Sequence, residues 1–119
     1  MTTEIFKVRA SFRKSNGEPL TGKAYRVALR DKDPLFDDKL GKSGLDRDGV
    51  AEFLVFAADF LSIDSPNERT PDLYFIVEKD GDEIFRSEVF PNVLFDIADE
   101  ITGRPKRLTQ EFGPFEVAD

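Results

Sequence analysis

The chemically most suggestive side chains in this sequence are six aspartates. The stretch Arg30-Asp31-Lys32-Asp33-Pro34-Leu35-Phe36-Asp37-Asp38-Lys39-Leu40-Gly41 sets Asp31, Asp33, Asp37 and Asp38 within eight positions, and Asp46-Arg47-Asp48-Gly49 follows closely. A hard cation takes its ligands from clustered carboxylates and carbonyls, so calcium is the chemistry this pattern suggests. Asp46 and Asp48 would complete the set only if the second acidic stretch meets the first in space. The spacing is not that of an EF-hand, whose first and twelfth positions would fall on Gly44 and Val55. A competing reading makes these residues no ligands at all. Asp side chains form turns, accept backbone N–H bonds and keep a sheet edge soluble.

Other chemistries are limited by what the chain lacks. It has no His and no Cys, so neither a Ser-His-Asp nor a Cys-His nucleophile can be assembled, and zinc and copper lose their usual ligands. Carboxylate pairs are plentiful, but none is flanked by residues that would desolvate one partner and raise its pKa for general-acid work. The expectation is a protein that is not an enzyme, with calcium the one cofactor to consider. The net charge of −7, from 24 acidic and 17 basic side chains, repels phosphate backbones and anionic lipid, which argues against nucleic acid and polybasic membrane adhesion. No apolar run approaches the roughly 20 residues that span a bilayer. Met1-Thr2-Thr3-Glu4 leads straight into Ile5-Phe6-Lys7-Val8, without the basic start and continuous apolar core of a signal peptide. The expected location is the cytoplasm, or outside it by a route with no cleaved signal.

The elements that must position these residues follow from alternation. A chain of 119 residues makes one domain, 1–119, able to enclose a core without disulfides. Twelve Phe and two Tyr, with no Trp, offer large apolar area and few polar handles, so burial is the task of most rings. Phe6, Val8, Ala10 and Phe12 alternate with Lys7, Arg9, Ser11 and Arg13, which predicts a half-buried strand. Asn16-Gly17 then reverses the chain. Tyr25, Val27 and Leu29 alternate with Arg26, Ala28 and Arg30 in a second strand that points into the acidic stretch, itself read as loop. Lys42 to Leu45 is a candidate short strand, and Asp46 to Gly49 a tight turn. Ala51, Phe53 and Val55 face one way while Val50, Leu54 and Phe56 face the other, which predicts a central strand or one whose second face is covered.

Ala57 to Leu61 reads as one helical turn and Ser62 to Pro71 as a crossing loop between sheets. Leu73 to Val77 is the most apolar run and reads as a buried strand, returning through Asp80-Gly81 and Glu83 to Val89 as an antiparallel hairpin. The tail suggests a short helix over Pro91 to Glu100, a break at Thr102 to Pro105, and a last strand within Arg107 to Val117 interrupted at Gly113-Pro114. Short strands separated by turn signals predict an all-β fold: an antiparallel Greek-key β-sandwich of about seven strands, with the C-terminal tail covering one sheet.

In this order, the first strand, Asn16-Gly17-Glu18-Pro19-Leu20-Thr21-Gly22, the second strand, and the Asp46-Arg47-Asp48-Gly49 turn before an apolar strand resemble the transthyretin-like (prealbumin-like) sandwiches. The stretch from Asp31 to Gly41, with Pro71 to Val77 later, resembles the bacterial branch of that group. The resemblance runs from residue 5 to residue 89 and leaves out the tail. It implies a fold, not an activity, because the group includes hormone carriers, peptidase accessory modules, cell-surface stalks and one enzyme branch. That branch hydrolyses 5-hydroxyisourate with a His and Arg cluster completed by a C-terminal Tyr-Arg-Gly-Ser. This chain has no His and ends Phe115-Glu116-Val117-Ala118-Asp119, so the activity is not expected. Through Asp-x-Asp followed by Asp and Leu-Gly, the acidic stretch is also similar to a calcium loop of the synaptotagmin-type phospholipid-binding sandwiches, though shorter.

Two apolar features bear on partners. Pro34, Leu35 and Phe36 at the tip of the acidic stretch either anchor a partner or fold back to plug the sandwich end, where burying the Phe alone is worth on the order of 2 kcal/mol. Tyr74 and Ile76 lie on the outward face of the buried strand, which is either an interface or covered by the tail through Val93, Leu94, Phe95 and Ile97. The expected function is a non-enzymatic protein-binding or structural module, a subunit of a larger assembly or a self-associating chain, acting through loops or edge strands. The alternative is a calcium-dependent adhesion or membrane-docking module built on the acidic stretch 31–48.

Overall fold

The computed structural model describes residues 5–32, 38–56, 71–91, 93 and 109–118. Seven strands make two sheets: β1 (Ile5–Lys14), β2 (Tyr25–Asp31), β3 (Asp38–Ser43), β4 (Val50–Phe56), β5 (Leu73–Lys79), β6 (Asp82–Arg86) and β7 (Thr109–Val117). One sheet has the order β4-β1-β7, the other β3-β2-β5-β6. The chain is thus the all-β sandwich that its alternation predicts. No helix among the described residues is long and apolar enough to cross a membrane.

The core is made of the residues that alternation assigns to one face. Phe6, Val8, Ala10 and Phe12 of β1, Val27 and Leu29 of β2, Ala51, Phe53 and Val55 of β4, and Leu73, Phe75 and Val77 of β5 are all buried between the sheets. Phe75 is their hub, with ring centroids 5.3 Å from Phe112, 5.8 Å from Phe115, 6.2 Å from Phe53 and 6.3 Å from Phe12. Edge-to-face and tilted contacts of this kind add to what burial alone supplies.

Turn chemistry fixes the connections. Gly17 takes a φ of 91°, and the segment that follows folds back on β1 through Lys14 N–H to Glu18 C=O (2.8 Å) and Leu20 N–H to Phe12 C=O (3.0 Å). Asp80 and Gly81 both adopt positive φ, 51° and 89°, in the two-residue loop joining β5 to β6. This is the backbone twist that matches paired strands. Beyond Arg86, the Ser87 hydroxyl accepts the Phe75 N–H at 2.9 Å while the Ser87 N–H donates to the Phe75 carbonyl at 2.8 Å. The return strand therefore ends at Arg86, earlier than Val89, and a side chain carries the ladder on.

Four expectations need correction or qualification. First, the acidic stretch is not all loop: Asp31 closes β2, Asp38 opens β3, and the two face each other across the ladder. Edge strands tolerate such charges because the charges themselves deter foreign pairing. Second, β4 is not central. It ends its sheet, and its outward Leu54 is 60% exposed. Third, β1 and β7 run parallel, whereas every other described strand pair is antiparallel. Strands from opposite ends of the chain need no tight turn between them, so nothing forces opposite directions. Fourth, the described part of the tail extends a sheet as β7, and Val93 joins the core between the sheets. The expected helical turn at 57–61, most of the crossing loop, and Leu94, Phe95 and Ile97 lie outside the described residues.

Gly113-Pro114 does not interrupt β7. Phe112 pairs with Ala10 and Phe115 with Phe12, so two residues of β7 span the one residue, Ser11, between those partners. This bulge resets the phase of the strand. Phe112, Phe115 and Val117 therefore all reach the core. Gly113, with φ of 93°, permits it, since an added Cβ would lie 2.6 Å from the Ser11 carbonyl oxygen.

Candidate functional site

A sandwich has four sheet edges, and here three carry features that deter pairing with another chain. β3 presents Lys39 and Lys42 and has an irregular register opposite Leu29/Arg30. β6 is only five residues long, carries Asp82, Glu83 and Arg86, and shifts register against Val77/Glu78. β7 contains Gly113-Pro114 and the bulge. Charge, shortness, proline and bulges are the devices that blunt an edge.

The fourth edge, β4, has no proline, bulge or register shift and only one charge. Its sequence is Val50-Ala51-Glu52-Phe53-Leu54-Val55-Phe56, with a regular ladder to β1 along its whole length and a single charged residue. The Phe12 N–H donates to the Gly49 carbonyl at 2.8 Å at the head of that ladder. Antiparallel pairing then turns the backbone groups of Ala51, Phe53 and Val55 toward β1 and those of Glu52 and Leu54 away from it. No described strand meets them there. The turn feeding β4 holds it in place. Asp46 Oδ1 accepts the Asp48 and Val50 N–H groups at 2.8 and 2.9 Å, and an added Cβ at the buried Gly49 would strike the Phe12 carbonyl oxygen.

The electrostatics around β4 are mild. Lys7 lies 3.3 Å from Glu52, Arg9 lies 3.8 Å from Glu52 and 3.3 Å from Glu111, and all four side chains are partly open to water. On the other sheet, Arg86 grips Glu83 through Nη2 at 2.9 Å and Nε at 3.2 Å. That hydrogen-bonded guanidinium holds the Glu83 carboxyl below its usual pKa and raises that of Arg86 in turn.

The structure divides the six aspartates. Asp31 and Asp38 sit at one end of the β2–β3 pair, while Ser43, which leads to Asp46 and Asp48, pairs with Val27 toward the other. The length of β3 separates the groups, roughly 20 Å at the rise of a strand, so Asp46 and Asp48 do not complete a site with Asp31. Asp46 serves as a turn cap. Asp31 is 1% exposed, and its Oδ1 accepts the Asp72 N–H at 2.9 Å, tying β2 to the start of β5. Asp33, Asp37, the Asp38 side chain and the tip residues Pro34, Leu35 and Phe36 lie outside the described residues. Among the described residues, no group of three or more acidic, His or Cys side chains is placed to hold a metal ion. Tyr74 and Ile76 are each 2% exposed and form a second buried cluster with Ala28 on the outward face of the four-stranded sheet. Of the two readings of that face, burial agrees with a covered one. The β4 edge went unsingled in the sequence because its apolar run looked internal; Glu52, between apolar neighbours, was the available signal.

No protein-family model matches the sequence, and no curated protein matches it. Among solved structures, a 9R-lipoxygenase from Cyanothece PCC8801 is similar, with a TM-score of 0.58 and 19% identity. The match covers 96% of this chain and 16% of that one. The chain thus spans a small part of the lipoxygenase's length, and the likeness bears on the fold alone.

Proposed function

We propose that this chain is a non-enzymatic protein-binding or structural module of transthyretin-like, Greek-key architecture, and that it makes its contact by adding a strand to the β4 edge. The observation that carries the proposal is the contrast among edges: β3, β6 and β7 are defended and β4 is not. Main-chain hydrogen bonds to an open edge supply affinity, and alternate side chains such as Leu54 supply specificity. The architectural part is supported by the Asn16-Gly17 and Asp46 to Gly49 turns and by a chain that changes sheet between β1 and β2, β3 and β4, β4 and β5, and β6 and β7.

Residue-level amide exchange in dilute solution tests the reading. The N–H groups of Glu52 and Leu54 should exchange freely while those of Phe53 and Val55 are protected, and binding should then protect the first pair. Protection of Glu52 and Leu54 in an isolated monomer would mean the edge is already closed and would end the proposal.

A further inference from the structure

We propose that the outward face of the four-stranded sheet binds a small phosphorylated molecule, holding its phosphoryl group among Arg30, Lys39 and Lys42. A bulge brings these cations together. Lys42 pairs with Ala28 and Gly41 with Leu29, but Lys39 pairs with Arg30, so Leu40 is the extra residue on β3. Unbroken alternation from Lys42 would leave Leu40 outward and turn Lys39 into the core. The bulge reverses both. Leu40 packs against the core, while Lys39 is exposed and shares a face with Arg30. Lys42 is on that face too, opposite the outward Ala28. A hollow of about 320 Å³ lies where they meet, with Ala28, Arg30, Lys39, Gly41 and Lys42 in its wall.

Positive charge is in excess at this place. Lys42 donates to Glu78 at 2.9 Å, but no described carboxylate lies within ion-pair distance of Arg30 or Lys39. Asp31, next along β2, is buried and turned to the other face by alternation. The Arg30 Nε–H is moreover buried without an acceptor. Arg9 has an equally unbonded Nε, yet Glu52 and Glu111 stand beside its guanidinium. A buried donor is normally paired, and an oxyanion in the hollow, drawing the Arg30 guanidinium toward it, supplies the missing acceptor. Two cations without a carboxylate, and a third shared with Glu78, exceed what one carboxylate needs and match a phosphoryl dianion. Its oxygens also suit the N–H fork of arginine. The hollow is larger than a bare phosphate, which leaves room for a small organic body over Ala28. The chain's net charge of −7 does not forbid this. At physiological ionic strength salt screens charges more than about 8 Å away, and the nearby cations decide.

NMR titration of the isotope-labelled chain with inorganic phosphate, at constant ionic strength and above the phosphate's second pKa of roughly 6, tests this. The Leu40 and Gly41 amides and the Arg30 Nε–H should shift saturably, with a dissociation constant on the order of 1 mM. Acetate at the same ionic strength should give no saturable shift there. Phenyl phosphate should bind no more weakly than phosphate itself. Lys39→Gln, at an exposed edge position, should weaken phosphate binding about tenfold or more, the worth of one charged hydrogen bond. Lys39→Arg should retain it, and Lys14→Gln, on the other sheet, should leave it unchanged. Shifts that grow with phosphate without saturating, or that acetate reproduces, overturn the site. So does a Lys39→Gln chain that binds phosphate as well as Lys14→Gln does. Phosphate binding with phenyl phosphate excluded or weaker overturns the small-molecule ligand. None of these results bears on the β4 edge, which the Glu52 and Leu54 amides report separately.

Discussion

On the outward face of the three-stranded sheet, Lys7, Arg9, Glu52 and Glu111 form a chain of ion pairs in water, while the outward face of the four-stranded sheet keeps Ala28, Tyr74 and Ile76 buried. Both sheets contain a strand that reads as apolar on two faces, β4 in one and β5 in the other. The neighbours across the ladders differ. Leu54 lies beside Lys7 across the ladder, whereas Ile76 lies between Ala28 and Arg86 and Tyr74 lies under the Arg86 guanidinium, 5.4 Å from its ring. A strand's second face is wet or dry according to what packs on it, which the strand's own residues do not record.

Four measurements bear on that contrast. Phe75→Ala removes the ring both sheets pack against and should lower stability by about 3–5 kcal/mol in urea denaturation; a small loss would mean the sheets do not share one core. Next comes the direct pairing of outward positions in dilute solution. Ile76→Ala should cost about 2–5 kcal/mol and Leu54→Ala no more than about 0.5 kcal/mol. Equal costs would remove the distinction between the faces. Ser87→Ala should cost about 1–3 kcal/mol, because it strands the buried Phe75 N–H that its hydroxyl accepts, and should speed exchange at that amide. The smallest effect belongs to Glu83→Gln, within about 0.5 kcal/mol as for exposed pairs. Arg86 depresses the Glu83 pKa in the folded chain. The pair's contribution is therefore present above the carboxyl's unfolded pKa and lost as pH falls through the lowered one. The variant should differ from the parent near neutrality and match it in acid.

The frame was legible in the sequence because period-two alternation has one physical cause, a single core between two sheets. Phe6, Val8, Ala10, Phe12, Val27 and Leu29 all went where their spacing sends them. Asp80-Gly81 was legible because its backbone conformation suits few other residues. What escaped was tertiary. Asp38 and Lys39 carry loop composition yet sit in a strand, since an edge position accepts residues that an interior would reject. Phe112 and Phe115 reach one face only through a bulge that simple alternation cannot anticipate. Asp31 and Asp46 looked like members of one cluster because proximity in sequence does not show which end of a strand a residue occupies. The open edge depends on knowing that β4 comes last in its sheet.

The parallel run of β1 beside β7 has a mechanical consequence. Lys7 is level with Thr109 and Lys14 with Val117, so the start of one strand and the finish of the other lie at opposite ends of the sheet, about 30 Å apart at the rise of a strand. Tension applied between Ile5 and Val117 would drag the two strands lengthwise past one another, loading their shared hydrogen bonds all at once. A hairpin pulled from its open end gives way one bond at a time; this pair, in shear, must yield together.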